Sequence, residues 1–148
     1  MSFNIAIDGP AGAGKSTIAK KIAKELGFVY VDTGAMYRAM ALYFLRSNIS
    51  NEDEQAISRA SENVEITIQY ENGEQQVFLN GENVSGEIRK EEVGNMASKT
   101  SGYGQVRKKL VELQQQLAKK ADVVMDGRDI GTVVLPDAQV KVYLTASV

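Results

Sequence analysis

The sequence predicts an α/β fold: a parallel sheet flanked by helices, with a small antiparallel β lobe inserted. Three observations predict it. Through residues 3–45, short apolar runs alternate with segments of helical spacing in the order strand, helix, strand, helix. From residue 63 to about 89, the pattern changes to alternation with period two and two Asn-Gly turns, at 72–73 and 80–81. Helical spacing and two further apolar runs then return, so the lobe interrupts a layered core and does not extend it.

Each element has its own reason. Phe3 to Asp8 reads as a buried strand, and Ser16 to Leu26 as a helix with Ile18, Ala19, Ile22, Ala23 and Leu26 on one face and Lys20, Lys21 and Lys24 on the other. Gly27 supplies its stop. Phe28 to Val31 is a second buried strand, and Asp32 or Thr33 can cap a helix carrying Met36, Tyr37, Met40, Leu42, Tyr43, Phe44 and Leu45. Asn51 with Glu54 gives a capping signal for a short helix to about Ala60. Val64, Ile66, Ile68 and Tyr70 alternate with polar residues and lead through Asn72-Gly73 to Val77–Leu79. Val93, Met96 and Ala97 mark another short helix, and Val106, Leu110, Leu113 and Leu117 one face of a longer one, from about Tyr103 to Lys119. Asp122 to Asp126 is a third buried strand, and Val140, Val142 and Leu144 lie in a fourth after Pro136-Asp137.

Composition narrows the chemistry. The 148 residues are enough for one core with a modest insertion, and a composition 43% hydrophobic and 24% charged is ordinary for a soluble globular protein. No apolar stretch is long enough to cross a bilayer, and nothing at the amino terminus resembles a secretion signal, so the protein is expected to stay in the cytoplasm. With no cysteine and no histidine, thiolate metal sites, cysteine nucleophiles and the commonest general base are excluded. A net charge of −2 argues against a general nucleic-acid binder and leaves local anion pockets open.

One such pocket is explicit. Gly9-Pro10-Ala11-Gly12-Ala13-Gly14-Lys15-Ser16, followed by Thr17, fits the phosphate-loop spacing G-x-x-x-x-G-K-[ST] between a predicted strand and a predicted helix. In that pattern, backbone N–H groups turn inward on a phosphate and the helix dipole adds to them. Lys15 reaches the terminal phosphates and Ser16 can ligate Mg²⁺. The fold expected is therefore P-loop NTPase-like. The dinucleotide pattern G-x-G-x-x-G does not occur.

Three further clusters accompany the loop. Thr33 and Arg38 follow the second strand, and in a parallel sheet the carboxyl ends share one edge, so both should face the crevice of the phosphate loop. An N-cap plus a solvated arginine is the plainer alternative. Asp126 ends an apolar strand, where it can hold Mg²⁺ through water, with Arg128 and Asp129 next to it; a turn with a surface ion pair is the alternative. Ser98 and Arg107 flank Ser101-Gly102-Tyr103-Gly104, and by themselves read as an ordinary loop and a solvated helix arginine.

Taken together, GPAGAGKST, DTGAMYR, EEVGNMAS, the QVRKKL segment and DGRDIGTVVLPDA followed by VKVYLTAS closely resemble the cytidylate kinase family of nucleoside monophosphate kinases, over the whole chain. The β-rich insertion also resembles that family, where adenylate kinases usually carry a small helical lobe. The resemblance implies transfer of the γ-phosphoryl group of ATP to CMP or dCMP with Mg²⁺. It implies that Arg38 and Arg128 bind the acceptor phosphate, that Ser98, Arg107 and Asp129 recognise the cytosine ring, and that Thr33 lines the same site. Lys15, Arg38 and Arg128 would then be the catalytic cations. No strong base is needed, because an acceptor phosphate oxygen is already a nucleophile.

The resemblance also predicts an organisation: residues 1–35 and 120–148 as the phosphate-loop core, and 36–119 as the monophosphate-binding region. Family members continue past this strand into an arginine-rich lid, a further strand and a final helix, so the chain is expected to be the amino-terminal portion of such a kinase. The complete protein is expected to be a monomer, and Val140–Leu144 to be an edge open to pairing with another chain. Two other functions stay open at this point: a non-catalytic nucleotide-binding module, and a kinase for another acceptor such as UMP or a metabolite hydroxyl.

Overall fold

The computed structural model describes residues 2–10, 14–71, 74–127 and 129–145. In chain order its elements are β1 Asn4–Asp8, α1 Lys15–Leu26, β2 Val29–Asp32, α2 Thr33–Arg46, α3 Glu54–Ser61, β3 Ile66–Glu71, β4 Glu74–Leu79 and β5 Glu82–Asn83. A 3₁₀ turn at Glu87–Arg89, α4 Glu91–Thr100, α5 Gly104–Lys120, β6 Val123–Gly127, a π-helical turn at Ile130–Val134 and β7 Val140–Tyr143 complete it. The chain forms two compact units, one of Met1–Thr33 with Gln114–Val148 and the other of Gly34–Leu113.

The first unit is an α/β layer built on a parallel sheet in the order β2-β6-β1-β7. Residues 123–125 of β6 and 5–7 of β1 are buried, which is why these two central strands read as continuous apolar runs and not as alternating ones. Ala19 and Ala23 of α1 pack with Ile5, Ile7, Tyr30 and Val124 into a core cluster, with Ile22, Phe28, Val142 and Leu144 at its margin. Burying the isoleucine and valine side chains of this cluster stabilises by roughly 1.5–3 kcal/mol each. Gly27 closes α1 in the left-handed region, φ 72°, and its N–H donates to Ala23 O.

The second unit carries the inserted lobe, an antiparallel sheet in the order β3-β4-β5. Its register pairs Ile68 with Val77 and Ile66 with Leu79, so the alternating apolar residues fall on one buried face. Asn80, at φ 50°, turns the chain, and its side-chain oxygen accepts from Glu65 N at 2.8 Å. The predicted Asn72-Gly73 turn lies outside the described residues. Tyr103 ties the start of α5 to the turn before α3, donating its hydroxyl to Asn51 O at 2.6 Å.

Several local expectations are corrected. The cap of α3 is Asp53, whose carboxylate accepts from Ala56 N at 3.1 Å; it stands two residues closer to the helix than Asn51 and wins that competition. Ile18 and Leu26 belong to the exposed side of α1 at 38% and 52%, because the helix meets the sheet through the narrow Ala19–Ala23 stripe. Thr33 opens α2 but spends its hydroxyl on the sheet, donating to Asp126 O at 2.8 Å. The fourth strand is also less buried than an apolar run suggests: Val140 is 40% and Tyr143 70% exposed, and β7 stands at an end of the sheet, bonded to β1. No helix of the described residues is long and apolar enough to cross a membrane.

Candidate active site

In the first unit the carboxyl ends of the strands line up. Asp32 stands opposite Asp126 across β2 and β6, while Asp8 stands opposite Gly127 on one side and Tyr143 on the other. Three of the segments carrying the predicted chemistry start from this edge: the phosphate loop after β1, Thr33 after β2 and Asp129 after β6. This is where open parallel sheets place their ligand crevice.

The phosphate loop leaves β1 under a tight constraint. Gly9 has φ 150°, and a Cβ there would collide with the carbonyl oxygen of Leu144, whose own N–H donates to Asp8 O at 2.8 Å. Only glycine lets the loop start so close to the segment that follows β7. Gly14 precedes α1 at φ 82°, and Lys15, half-buried, donates its Nζ to Gly9 O at 2.5 Å. The ammonium is thus turned back onto the carbonyl that ends the approach from β1. Pro10, Ser16 and Thr17 are exposed beside it, and Ala11, Gly12 and Ala13 lie outside the described residues.

Asp126 is the site's perturbed acid. It is 6% exposed, and Tyr30 donates its hydroxyl to the carboxylate at 3.1 and 3.0 Å. Burial pushes its pKa up to about 6, the neighbouring Asp32 charge adds to this, and the Tyr30 hydrogen bond and the Lys15 cation oppose it. A carboxylate held against its own preference, with a second one in register beside it, is a receptive oxygen donor for a hard cation. Among the described residues no group of three or more acidic side chains is placed to hold a metal ion.

Asp8 and the π-helical turn form the second half of this edge. The Asp8 carboxylate accepts from Ile130 N at 2.6 Å and from Gly131 N at 2.8 Å. Immediately before that turn, Asp129 is held at φ 58°, a left-handed conformation uncommon for a residue with a side chain. Asp8, Gly9, Pro10, Asp129, Thr132 and Tyr143 line a cleft of about 350 Å³. Arg128 lies outside the described residues.

The remaining predicted residues belong to the second unit. The guanidinium of Arg38, on α2, donates to Ile88 O at 3.0 Å and lies over Gly94 of α4, where a Cβ would stand 3.2 Å from Nη2. Ser98 is one helical turn further along α4 from Gly94 and is exposed. Arg107, near the start of α5, bonds to the hydroxyl of Tyr37, the residue before Arg38 on α2. Burial raises the Tyr37 pKa and the Arg107 charge opposes the rise. Arg107 is therefore a partnered side chain and not the freely solvated one that its helix position alone suggests.

Asp8, Tyr30, Asp32, Tyr37 and Gly94 were not singled out as site residues from the sequence. Asp8 had one usable signal, its position at the end of the strand directly before the phosphate loop. Tyr30 and Tyr37 read as core positions by periodicity, and Gly94 as an ordinary residue of a short helix.

Comparison with known proteins adds an independent line. The family described as Cytidylate kinase matches residues 5–148. A cytidylate kinase of Caldicellulosiruptor saccharolyticus is 54% identical over 145 residues, covering 98% of this chain and 64% of that relative. One of Caldanaerobacter subterraneus subsp. tengcongensis is 56% identical over 147 residues (99% and 64%), and one of Lactobacillus johnsonii 53% over 146 residues (99% and 64%). The chain thus spans about 64% of the length of the curated relatives it matches.

Proposed function

The chain belongs to the cytidylate kinase family, and on that premise we propose that the protein carrying it transfers the γ-phosphoryl group of ATP to CMP or dCMP, releasing ADP and CDP or dCDP. The observation that carries this reading is the shared carboxyl edge. It brings the phosphate-loop lysine, a buried strand-end aspartate and Asp129 into one unit with the cleft between Asp8, Gly9 and Asp129. The relatives above all bear the same name, which supports CMP over another acceptor.

In this reading each residue has a physical task. Lys15 exchanges its bond to Gly9 O for the terminal phosphates of ATP, so its desolvation is already partly met before nucleotide binds. Ser16 and Asp126, with Asp32 alongside, would hold Mg²⁺, whose charge would offset the negative charge that develops in phosphoryl transfer. Arg38 and Arg128 grip the acceptor phosphate, and a guanidinium fork suits a phosphate better than any other side chain. Ser98, Arg107 and Asp129 read the cytosine ring, Asp129 by accepting from its amino group. Thr33 borders the acceptor site through its place at the end of β2, with its hydroxyl fixed to Asp126 O.

The acceptor oxygen attacks without a general base, so catalysis rests on positioning and charge neutralisation. The phosphate-loop core is proposed as residues 1–35 with 120–148 and the acceptor region as 36–119, in a protein acting in the cytoplasm as a monomer. The test is ADP release by the complete protein with ATP, Mg²⁺ and either CMP or UMP. CMP-dependent release exceeding that with UMP is expected; equal rates, or release independent of any acceptor, would remove the proposal.

A further inference from the structure

Asp8 stands apart from the residues that the phosphate-loop pattern assigns. It precedes the loop, and its side chain is engaged elsewhere. Both carboxylate oxygens are spent on the turn after β6, accepting from Ile130 N at 2.6 Å and Gly131 N at 2.8 Å. These are charge-assisted bonds from adjacent N–H groups of one turn, a grip that fixes both the place and the orientation of the backbone it holds.

The residue before that turn is Asp129, at φ 58°. A left-handed aspartate is costly enough to persist only where its surroundings hold it. Here the chain enters from β6, whose register with β1 sets Gly127 beside Asp8, and is caught again three residues later, at Ile130, by Asp8 itself. Gly131 is part of the fit: a Cβ there would stand 3.2 Å from Asp8 Oδ2 and 3.3 Å from the Lys141 side chain. Asp8 and Asp129 also border the same cleft.

We propose that Asp8 is a positioning residue for acceptor selectivity: by clamping Ile130 and Gly131 it holds Asp129 in the left-handed conformation in which its carboxylate meets the acceptor base. This rests on the reading of Asp129 as a cytosine-recognising residue. It links the strand that starts the donor's phosphate loop to recognition of the other substrate.

The test is steady-state kinetics of the complete protein, comparing kcat/KM for CMP and UMP in Asp8→Asn, Asp129→Asn and the double variant, with thermal melting of each. Asparagine keeps the size of Asp8 but can satisfy only one N–H and turns an amino group on the other, a loss of a charge-assisted bond worth about tenfold or more. The expected result is that Asp129→Asn reduces the CMP-over-UMP preference, Asp8→Asn reduces it about tenfold with a much smaller change in KM for ATP, and the double variant loses no more than Asp129→Asn alone. A general loss of structure would lower both acceptors together and leave the ratio in place.

The proposal is overturned if Asp129→Asn reduces the preference while Asp8→Asn leaves it intact, or if the two losses multiply in the double variant. Should Asp129→Asn leave the preference intact, the reading of Asp129 fails first and the inference falls with it. If Asp8→Asn does not fold, Gly131→Ala carries the test, because its methyl presses on Asp8 Oδ2 from outside: a preference reduced a few-fold supports the clamp, and an unchanged one overturns it.

Discussion

Arg38 rests on Gly94: the guanidinium lies flat enough against α4 that a methyl group on that glycine would stand 3.2–3.4 Å from Nη2, Nη1 and Cζ. The bond from Arg38 Nη1 to Ile88 O holds the other side, so the arginine is seated between α4 and the 3₁₀ turn before it. Gly94→Ala should displace it by a few tenths of an ångström. Alanine favours the helix by up to about 1 kcal/mol, so the melting temperature should hold or rise. KM for CMP should rise several-fold and that for ATP should not. Kinetics with each substrate varied separately, beside a melting curve, check this; a parallel rise in both KM values would sink the seat.

Gly127 is the converse case, where the lost space costs stability. A Cβ there would stand 2.5 Å from Thr33 Oγ1 and 3.0 Å from Ile130 Cδ1, both in the buried layer behind the sheet edge. Gly127→Ala must break the Thr33 bond to Asp126 O or move the turn. A cost of about 1–3 kcal/mol is expected. In a protein of this size class that is a fall of several degrees in melting temperature, at roughly 2–4 °C per kcal/mol. An unchanged melt would show that the strand end is looser than the contacts imply.

Asp126 gives the fold a pH dependence of definite sign. Its pKa is about 6 in the fold against 3.8 unperturbed, so between those values the folded chain keeps a proton that the unfolded chain has released. The cost of its charge is absent below about pH 4, grows as pH rises and is complete above about pH 6. Without Mg²⁺, Asp126→Asn should therefore be more stable than the parent at pH 7.5 by on the order of 3 kcal/mol, a gap that closes toward pH 4. Denaturant titrations at both pH values measure it, and a gap independent of pH would refute the assignment. The same variant should lose most of its turnover with ATP and Mg²⁺.

Arg107 is paired with Tyr37, so its removal has two expected signatures. Arg107→Ala should weaken CMP binding well above tenfold while leaving ATP binding nearly unchanged. It should also raise the Tyr37 pKa further, since the opposing charge is gone. Isothermal titration with CMP and with ATP gives the first, and ultraviolet titration of tyrosine absorbance the second. Equal weakening of both nucleotides would place Arg107 outside the acceptor site.

How much of this was legible follows from how far apart the partners lie in the chain. The phosphate loop, the capping of α1 by Gly27 and the alternation of Val64, Ile66 and Ile68 are local patterns, and each marks its element without help from the rest. The end positions of the strands were readable too, because apolar runs stop at Asp8 and Asp126. What Asp8 does was not, since its partners are 122 and 123 residues away and meet it only because β6 lies beside β1. The seat of Arg38 on Gly94 is hidden for the same reason. Two local misreadings had a different cause: Asn51 and Asp53 offer the same cap within three residues, and Ile18 looks core-facing only if a helix is assumed to bury a wide stripe.

The order of strands in the parallel sheet sets a timetable for synthesis. β1 and β2 do not touch; β6 stands between them and pairs with both. A ribosome therefore releases the first 33 residues, then all of Gly34–Leu113, before the strand that unites the sheet emerges. The inserted unit has its partners in sequence and can condense early, whereas β1 and β2 must wait, with their apolar residues uncovered, for more than half the chain. Chaperone dependence of a nascent chain should thus peak before residue 127 and fall once β6 is out, and slowing translation within α5 would prolong the exposed interval.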